Sequence, residues 1–140
     1  MVKRATEEQI EQIINQYPGT KSVICYGDNT FTLVYTDNKN VIAFLSAFFK
    51  KIPAPLNDET ECFINVIDIF DFNYRNKGIG SLLVQEAIKI AKEEKAIQVR
   101  AYCDINNKPS HMLWLKNNFG ISPVKMPDGS IAGSFITYRI

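Results

Sequence analysis

Histidine is nearly missing from this chain. His111 is the only one in 140 residues, which excludes a multi-histidine metal site and makes a Cys/His zinc site unexpected. Cysteine is scarce as well. Cys25, Cys62 and Cys103 are odd in number, widely spaced and form no CxxC, so the pattern fits reduced thiols in a cytoplasmic protein rather than a disulfide framework. No apolar run is long enough for a bilayer: the longest, Val41 to Phe49, falls well short of the roughly 20 residues a spanning helix needs. A single-sign charge excess is also lacking. With 16 Lys and Arg against 15 Asp and Glu, the net charge is +1, too little to displace nucleic-acid counterions over a broad surface. Neither nucleic acid nor a membrane is therefore expected as a partner. The opening MVKRATEEQI has no apolar h-region and no small-residue cleavage site, so it is not read as a signal peptide.

What is present is an ordinary globular composition, 46% hydrophobic and 22% charged, in a chain of the length of one domain, residues 1–140, able to bury its own core. Residues 2–5 suit a short strand. Thr6 and Gln9 form a capping box before Ile10, Ile13, Ile14 and Tyr17, which recur at helical spacing until Pro18-Gly19 stops them. The segment 20–29 fits either a short helix or an irregular loop. FTLVYT at 31–36 and VIAFLSAFF at 41–49 read as a hairpin across Asp37 to Asn40, and the two prolines of 50–61 exclude a central strand there. CFINVIDIF, residues 62–70, is apolar on both alternating faces except at Asn65 and Asp68, so a central strand covered on both sides is expected. A helix behind Gly80, a strand at 97–103, a helix at 107–119 and a closing hairpin complete the pattern.

The informative stretch is DFNYRNKGIGSLL, residues 71–83, where Gly78 and Gly80 stand between two cations and a helical run. A strand, a glycine loop and a helix N-terminus together make an anion site. First-turn amides lack intrahelical acceptors, the helix dipole adds positive potential, and glycine lets the backbone approach a phosphate. A Walker A loop would need GxxxxGK[ST], and a dinucleotide fingerprint would need a small third residue where Leu83 stands. Neither is present.

The remaining R-N-K-G-I-G resembles the pyrophosphate loop of the GCN5-related N-acetyltransferase (GNAT) superfamily. Asn107, Ser110, Trp114, Asn118 and Phe119 fall in register with that family's following helix pattern, N-x-x-[AS]-x-x-x-Y-x-x-x-G-F. The resemblance runs from about residue 61 to 119. It implies an α/β (α+β) fold with a mixed, mostly antiparallel central sheet flanked by helices and a splayed pair of central strands. It implies an acetyl-CoA-dependent transfer of acetyl to a primary amine. By resemblance, backbone at Ile69, Phe70, Asp71 and Phe72 holds the pantetheine arm. Arg75, Asn76, Lys77, Gly78, Ile79, Gly80 and Ser81 meet the pyrophosphate, and Asn107, Ser110 and Trp114 lie on the cofactor side.

For the chemistry, Asp68 is the first candidate general base, a lone carboxylate in an apolar strand where burial would make it more basic. Asp71, at the strand end, is second. The family's acid on the later helix is a tyrosine, and here that position is Trp114, whose indole has no accessible acid function. Tyr102 and Tyr138 are the phenols that could face the cleft, Tyr102 being the catalytic candidate. Asn107 has a competing role as helix N-cap, which Asn106 would fill equally well. Ser110 and His111, adjacent on a helix, point apart and form no nucleophile–base pair. Cys103 reads as a small buried thiol. Asp58, Glu59 and Glu61 are acidic residues that could attract a cationic amine. The acceptor, a small-molecule or peptide amine, is not specified by the sequence, the short segment after Gly19 suggests an open cleft, and a homodimer is left open. The competing readings are a non-catalytic acyl-CoA-binding module and a nucleotide-phosphate binder.

Overall fold

A computed structural model describes residues 1–140. Its seven-stranded sheet runs in the order β1-β2-β3-β4-β5-β7-β6. The strands are β1 (Val2–Arg4), β2 (Thr30–Asp37), β3 (Asn40–Lys51), β4 (Thr60–Ile69), β5 (Gln98–Asp104), β6 (Gly120–Lys125) and β7 (Ile131–Arg139). Every neighbouring pair is antiparallel except β4 and β5. The mixed, mostly antiparallel sheet implied by the resemblance is thus observed.

Three helices cover it. Helix α1 (Glu7–Gln16) begins at the expected capping box, with Thr6 Oγ1 accepting from the Gln9 amide and Gln9 Oε1 accepting from the Thr6 amide. It lays Ile10, Ile13 and Ile14 against Val34, Phe44, Val66 and Phe70 on one face of the sheet. Helix α2 (Ile79–Glu93) and helix α3 (Lys108–Lys116) close the other face, where Leu83, Val84, Ala87, Ile88 and Trp114 join Leu33, Leu45, Ile64 and Val99 in the main core. Helix α3 is shorter than the 107–119 expected from sequence. Asn117 caps it, and Asn118 adopts a left-handed φ of 66° that ends helical geometry before β6. The ambiguous segment after Tyr17 resolves into a 3-10 turn, Pro18–Ser22, followed by irregular chain.

Strand β4 departs from its expectation in an instructive way. Ala47 pairs with Ile64 and Ser46 with Val66, so Asn65 is the extra residue of a β-bulge. The alternation changes phase at that point. Cys62 and Ile64 before the bulge, and Ile67 and Ile69 after it, all pack into the main core, while Val66 and Phe70 face α1. The two apolar registers in CFINVIDIF therefore follow one buried face that changes parity at the bulge, while the opposite face is covered only in part, where Val66 and Phe70 meet α1. Asn65 and Asp68 are exposed, and the Asn65 amide donates to the Val23 carbonyl at 2.8 Å, tethering the chain that follows the 3-10 turn.

The parallel seam between β4 and β5 is only four residue pairs long, from Glu61–Gln98 to Ile64–Ala101. Its closed end is held by Glu61, which is 1% exposed. Arg100 donates to both carboxylate oxygens, at 2.7 and 3.0 Å, Gln98 donates at 2.8 Å, and the Lys50 ammonium stands 3.5 Å away. The Arg100 guanidinium is sandwiched by Phe63 and Phe135, 5.4 and 4.7 Å from their ring centres. Glu61 is thus unavailable to attract a substrate amine from solvent, contrary to the expectation for the 58–61 acidic run. Burial alone would raise its pKa, but Arg100, Gln98 and Lys50 outweigh burial and hold it below the ordinary glutamate value. A lowered folded value means that this group's stabilisation is complete above the unfolded glutamate value and is lost as pH falls through the folded one. Arg100→Met is expected to cost about 3–5 kcal/mol at pH 7 by leaving a buried charge underpaired. The loss should shrink when urea melts are repeated near pH 4, where the orphaned Glu61 takes a proton.

Candidate functional site

The glycine loop forms an anion cradle at the N-terminus of α2. Gly78 occupies the N-cap position at φ 81° and offers no side-chain cap, so the amides of Ile79, Gly80 and Ser81 have no intrahelical acceptor. A Cβ built on Gly78 meets nothing within 4 Å, so the space in front of those amides is open. Arg75, Asn76 and Lys77 are exposed around it. The second glycine answers to a different constraint. A Cβ on Gly80 would stand 3.2 Å from Leu113 Cδ1, so the close approach that requires glycine there is the packing of α3 on α2 rather than a ligand. Ser81 is also drawn into that helix contact, its Oγ accepting from the Asn117 amide, whose carbonyl in turn accepts from Gln85.

Beside the cradle the sheet opens. Pairing between β4 and β5 stops at Ile64 and Ala101, although β4 continues to Ile69 and β5 to Asp104. The stretch of β4 that includes Ile69 therefore presents backbone without a strand partner on the β5 side. Phe70 is tied to the opposite side, its amide donating to the Ile42 carbonyl. Asp71 Oδ1 accepts from the Asn73 amide and caps the 3-10 turn Phe72–Tyr74.

On the α1 face, next to the opening, lies a cleft of about 480 Å³ walled by Tyr17, Pro18, Thr20, Val23 and Val66, with Asp68 among its lining residues. The Tyr17 ring, stacked on Phe70 at 4.2 Å, builds one wall. Asp68 is exposed rather than buried within an apolar strand, because the bulge at Asn65 turns this position to the open side. Tyr102 lies one residue beyond the last β4–β5 pair, 41% exposed and edge-on to Phe135 at 5.6 Å. Partial burial, together with the nearby Asp104 carboxylate, pushes its phenol up, so it keeps its proton at neutral pH. The Tyr102 hydroxyl rests over Gly133, where an added Cβ would come within 2.5 Å of it. Sequence reasoning passed over Gly133, although a glycine inside a strand pattern signals such a close approach.

The remaining candidates separate clearly. Asn107, rather than Asn106, caps α3, its Oδ1 accepting from the Ser110 amide at 3.2 Å. Trp114 is 2% exposed, donates from Nε1 to Ser110 Oγ at 2.9 Å and packs edge-on against Phe119. It is a core residue beneath the surface that a cofactor could touch. Tyr138 packs into the same core against Phe119 and does not reach the cleft. Cys103 and His111 come together, with Sγ 3.4 Å from Nδ1, but that nitrogen also lies 3.0 Å from the Asn107 carbonyl, which can only accept. Nδ1 therefore carries the proton and cannot take one from the thiol. All three thiols are unpaired, and burial pushes Cys62 up to about 12.

An uncapped helix N-terminus beside a parted parallel strand pair is the arrangement that the loop resemblance implied, and the comparisons agree. The sequence profile of the Acetyltransferase (GNAT) family matches residues 4–119. The chain belongs to this family. GNAT structures superpose along its whole length. Arabidopsis thaliana NAA60 in complex with acetyl-CoA gives a TM-score of 0.77 at 14% identity, covering 100% of this chain and 98% of that one. Ribosomal-protein-alanine N-acetyltransferase from Brucella melitensis gives 0.72 at 18% identity, covering 100% and 99%. The GNAT domain of S. lividans PAT gives 0.76 at 12%, covering 99% and 89%. No curated protein sequence matches the chain. Within this GNAT scaffold Gly133→Ala is expected to cost about 1–3 kcal/mol through overpacking, read as a lower urea midpoint, because the added methyl would collide with the Cys103 carbonyl, backbone of the paired strand β5.

Proposed function

We propose that this chain is an acetyl-CoA-dependent N-acetyltransferase that passes an acetyl group directly to a primary amine. The observation that carries the reading is the juxtaposition of the unpaired end of β4 with the uncapped N-terminus of α2. The first suits an extended amide-bearing arm and the second a pyrophosphate, and NAA60, the relative crystallised with acetyl-CoA, supports the same cofactor here.

In this reading the amides of Ile79, Gly80 and Ser81, with Arg75, Asn76 and Lys77 around Gly78, receive the pyrophosphate. Backbone from Ile69 through Phe70 and Asp71 to Phe72 lines the arm, and Asn107 Nδ2, which makes no hydrogen bond within the protein, donates to it. When bound, acetyl-CoA supplies an acyl carbon activated by its thioester, at which the C–N bond forms as the C–S bond breaks. Asp68, in the cleft, takes the proton that the amine sheds, through water. Tyr102 holds the proton that the departing sulfur needs, the role closed to Trp114 by its burial. Asp71 is the second choice as base, since its carboxylate already caps the turn. The cleft is open, and Val23, Phe44 and Val66 share its lining with the polar Gln16, Thr20 and Asp68. It suits a small polyamine-like or aminoglycoside-like amine, or an exposed peptide amine, with modest discrimination because few buried polar groups could reject an analogue.

The buried indole also favours a second reading, a GNAT module that binds acyl-CoA without turnover. Thiol release from acetyl-CoA across a panel of primary amines decides between them: amine-dependent release supports the enzyme, and tight CoA binding with no release supports the module. Asp68→Asn is expected to lower kcat/KM roughly a hundredfold while leaving CoA affinity unchanged; a normal rate with an unaltered pH profile would remove Asp68 from the chemistry. Gly78→Val is expected to cost about 1–2 kcal/mol of stability, because φ is positive there, and to abolish CoA binding in calorimetry by filling the space in front of the amides.

A further inference from the structure

The loop that leads into the phosphate cradle is tied to the rest of the fold at one unexpected point. Between Asp71 and Gly80 nearly every hydrogen bond is local: Asp71 Oδ1 accepts from the Asn73 amide, Arg75 Nη2 donates to the Ile69 carbonyl at 3.4 Å, and the Tyr74 and Arg75 amides close turns on Asp71 and Phe72. The exception is Tyr74. Its hydroxyl donates to Asp37 Oδ2 at 2.5 Å, across 37 residues of sequence.

Asp37 ends β2 and opens a tight turn in which Asn38 and Lys39 both take positive φ, 48° and 69°. That hairpin shares no strand pairing with the 71–80 loop. Its rigidity is borrowed through this contact. A phenol donating to a carboxylate is among the stronger side-chain hydrogen bonds. The interaction with Asp37 also pushes the phenol above its ordinary value, so the donor proton stays in place throughout the neutral range. The Tyr74 ring, partly buried against the main core, carries the Lys77 ammonium 5.8 Å from its centre. One side chain therefore connects the hairpin turn, the core and a cation of the cradle.

We propose that Asp37 and Tyr74 form a latch that positions the Arg75 to Gly80 loop, and Lys77 in particular, for the cofactor's phosphates. They are positioning residues that act through the loop and touch no reacting atom. The proposal rests on the acetyl-CoA reading above. Without the latch, the loop samples arrangements in which cation and amides no longer converge, and apparent affinity falls by the fraction of time spent in them.

The test compares Tyr74→Phe, Asp37→Ala, their double variant and Asp37→Asn with the parent chain. CoA affinity is read by calorimetry, kcat and KM with both acetyl-CoA and S-acetylpantetheine, which lacks the phosphates, and folding by thermal melting. Tyr74→Phe and Asp37→Ala are each expected to weaken CoA binding and raise KM for acetyl-CoA about fivefold to tenfold, the loss of one strong hydrogen bond. kcat and KM for S-acetylpantetheine should stay unchanged. The double variant should be no worse than either single one, since both remove the same bond. Asp37→Asn, whose amide oxygen still accepts from the phenol, should restore CoA affinity. Unaltered CoA affinity in both single variants overturns the latch, and so does an equal loss for acetyl-CoA and S-acetylpantetheine. A parent chain that fails to bind CoA overturns the cofactor reading itself.

Discussion

The geometry of the site depends on a parallel seam that is strong at one end and absent at the other. Glu61, buried and held by Arg100 and Gln98, fastens β4 to β5 at its start. The two strands then pair for only four residues before they part. Removing two charges from water is unfavourable, and such a pair adds little net stability over an apolar substitute. Its value here is positional. A bidentate guanidinium–carboxylate contact holds the two strands together at the start of the seam, three residues before their pairing ends.

Opposite demands are divided between the two faces of the sheet. The face under α2 and α3 is continuously apolar and closely packed, so the cradle's helix is rigidly seated. Gly80 belongs to this economy of space, since Leu113 occupies the room that a side chain would need. The face under α1 is covered only in part. Past Phe44 and Phe70 it is left to half-exposed aromatics, an arginine between two of them, and the cleft that contains Asp68. A rigid floor and an open upper surface suit a protein that fixes one ligand and admits another.

Much of this was legible in the sequence because it is local. The capping box at Thr6, the left-handed Gly78 before an amphipathic helix, the hairpin turn after Asp37 and the register of Asn107 with Trp114 all follow from short-range spacing. What escaped was set by pairing across strands or by contacts distant in sequence. No pattern in CFINVIDIF announces that Asn65 is an unpaired extra residue, so Asp68 read as buried. Glu61 read as a charge that could attract a cationic amine because its partner lies 39 residues away at Arg100. The tie between Asp37 and Tyr74 left no trace in local periodicity. Trp114 could be recognised as a departure from the family pattern, but only packing reveals that its indole is satisfied internally by Ser110.

The bulge at Asn65 also changes what kind of sequence variation β4 can accept. Because one residue is counted on β4 and none opposite it on β3, the strand behaves like a message with a frame. The residue at position 65 is exposed, and its side chain contributes the tether to Val23, but it is the presence of the extra residue that shifts the parity of everything after it. Pairing all ten residues regularly, without the bulge, would rotate everything downstream by half a period, carrying Ile67 and Ile69 to the open face and Asp68 into the core, whereas removing Asn65 itself would leave each of them on the face it now occupies. Position 65 is therefore a place in β4 where the loss of a residue leaves the frame of the strand intact.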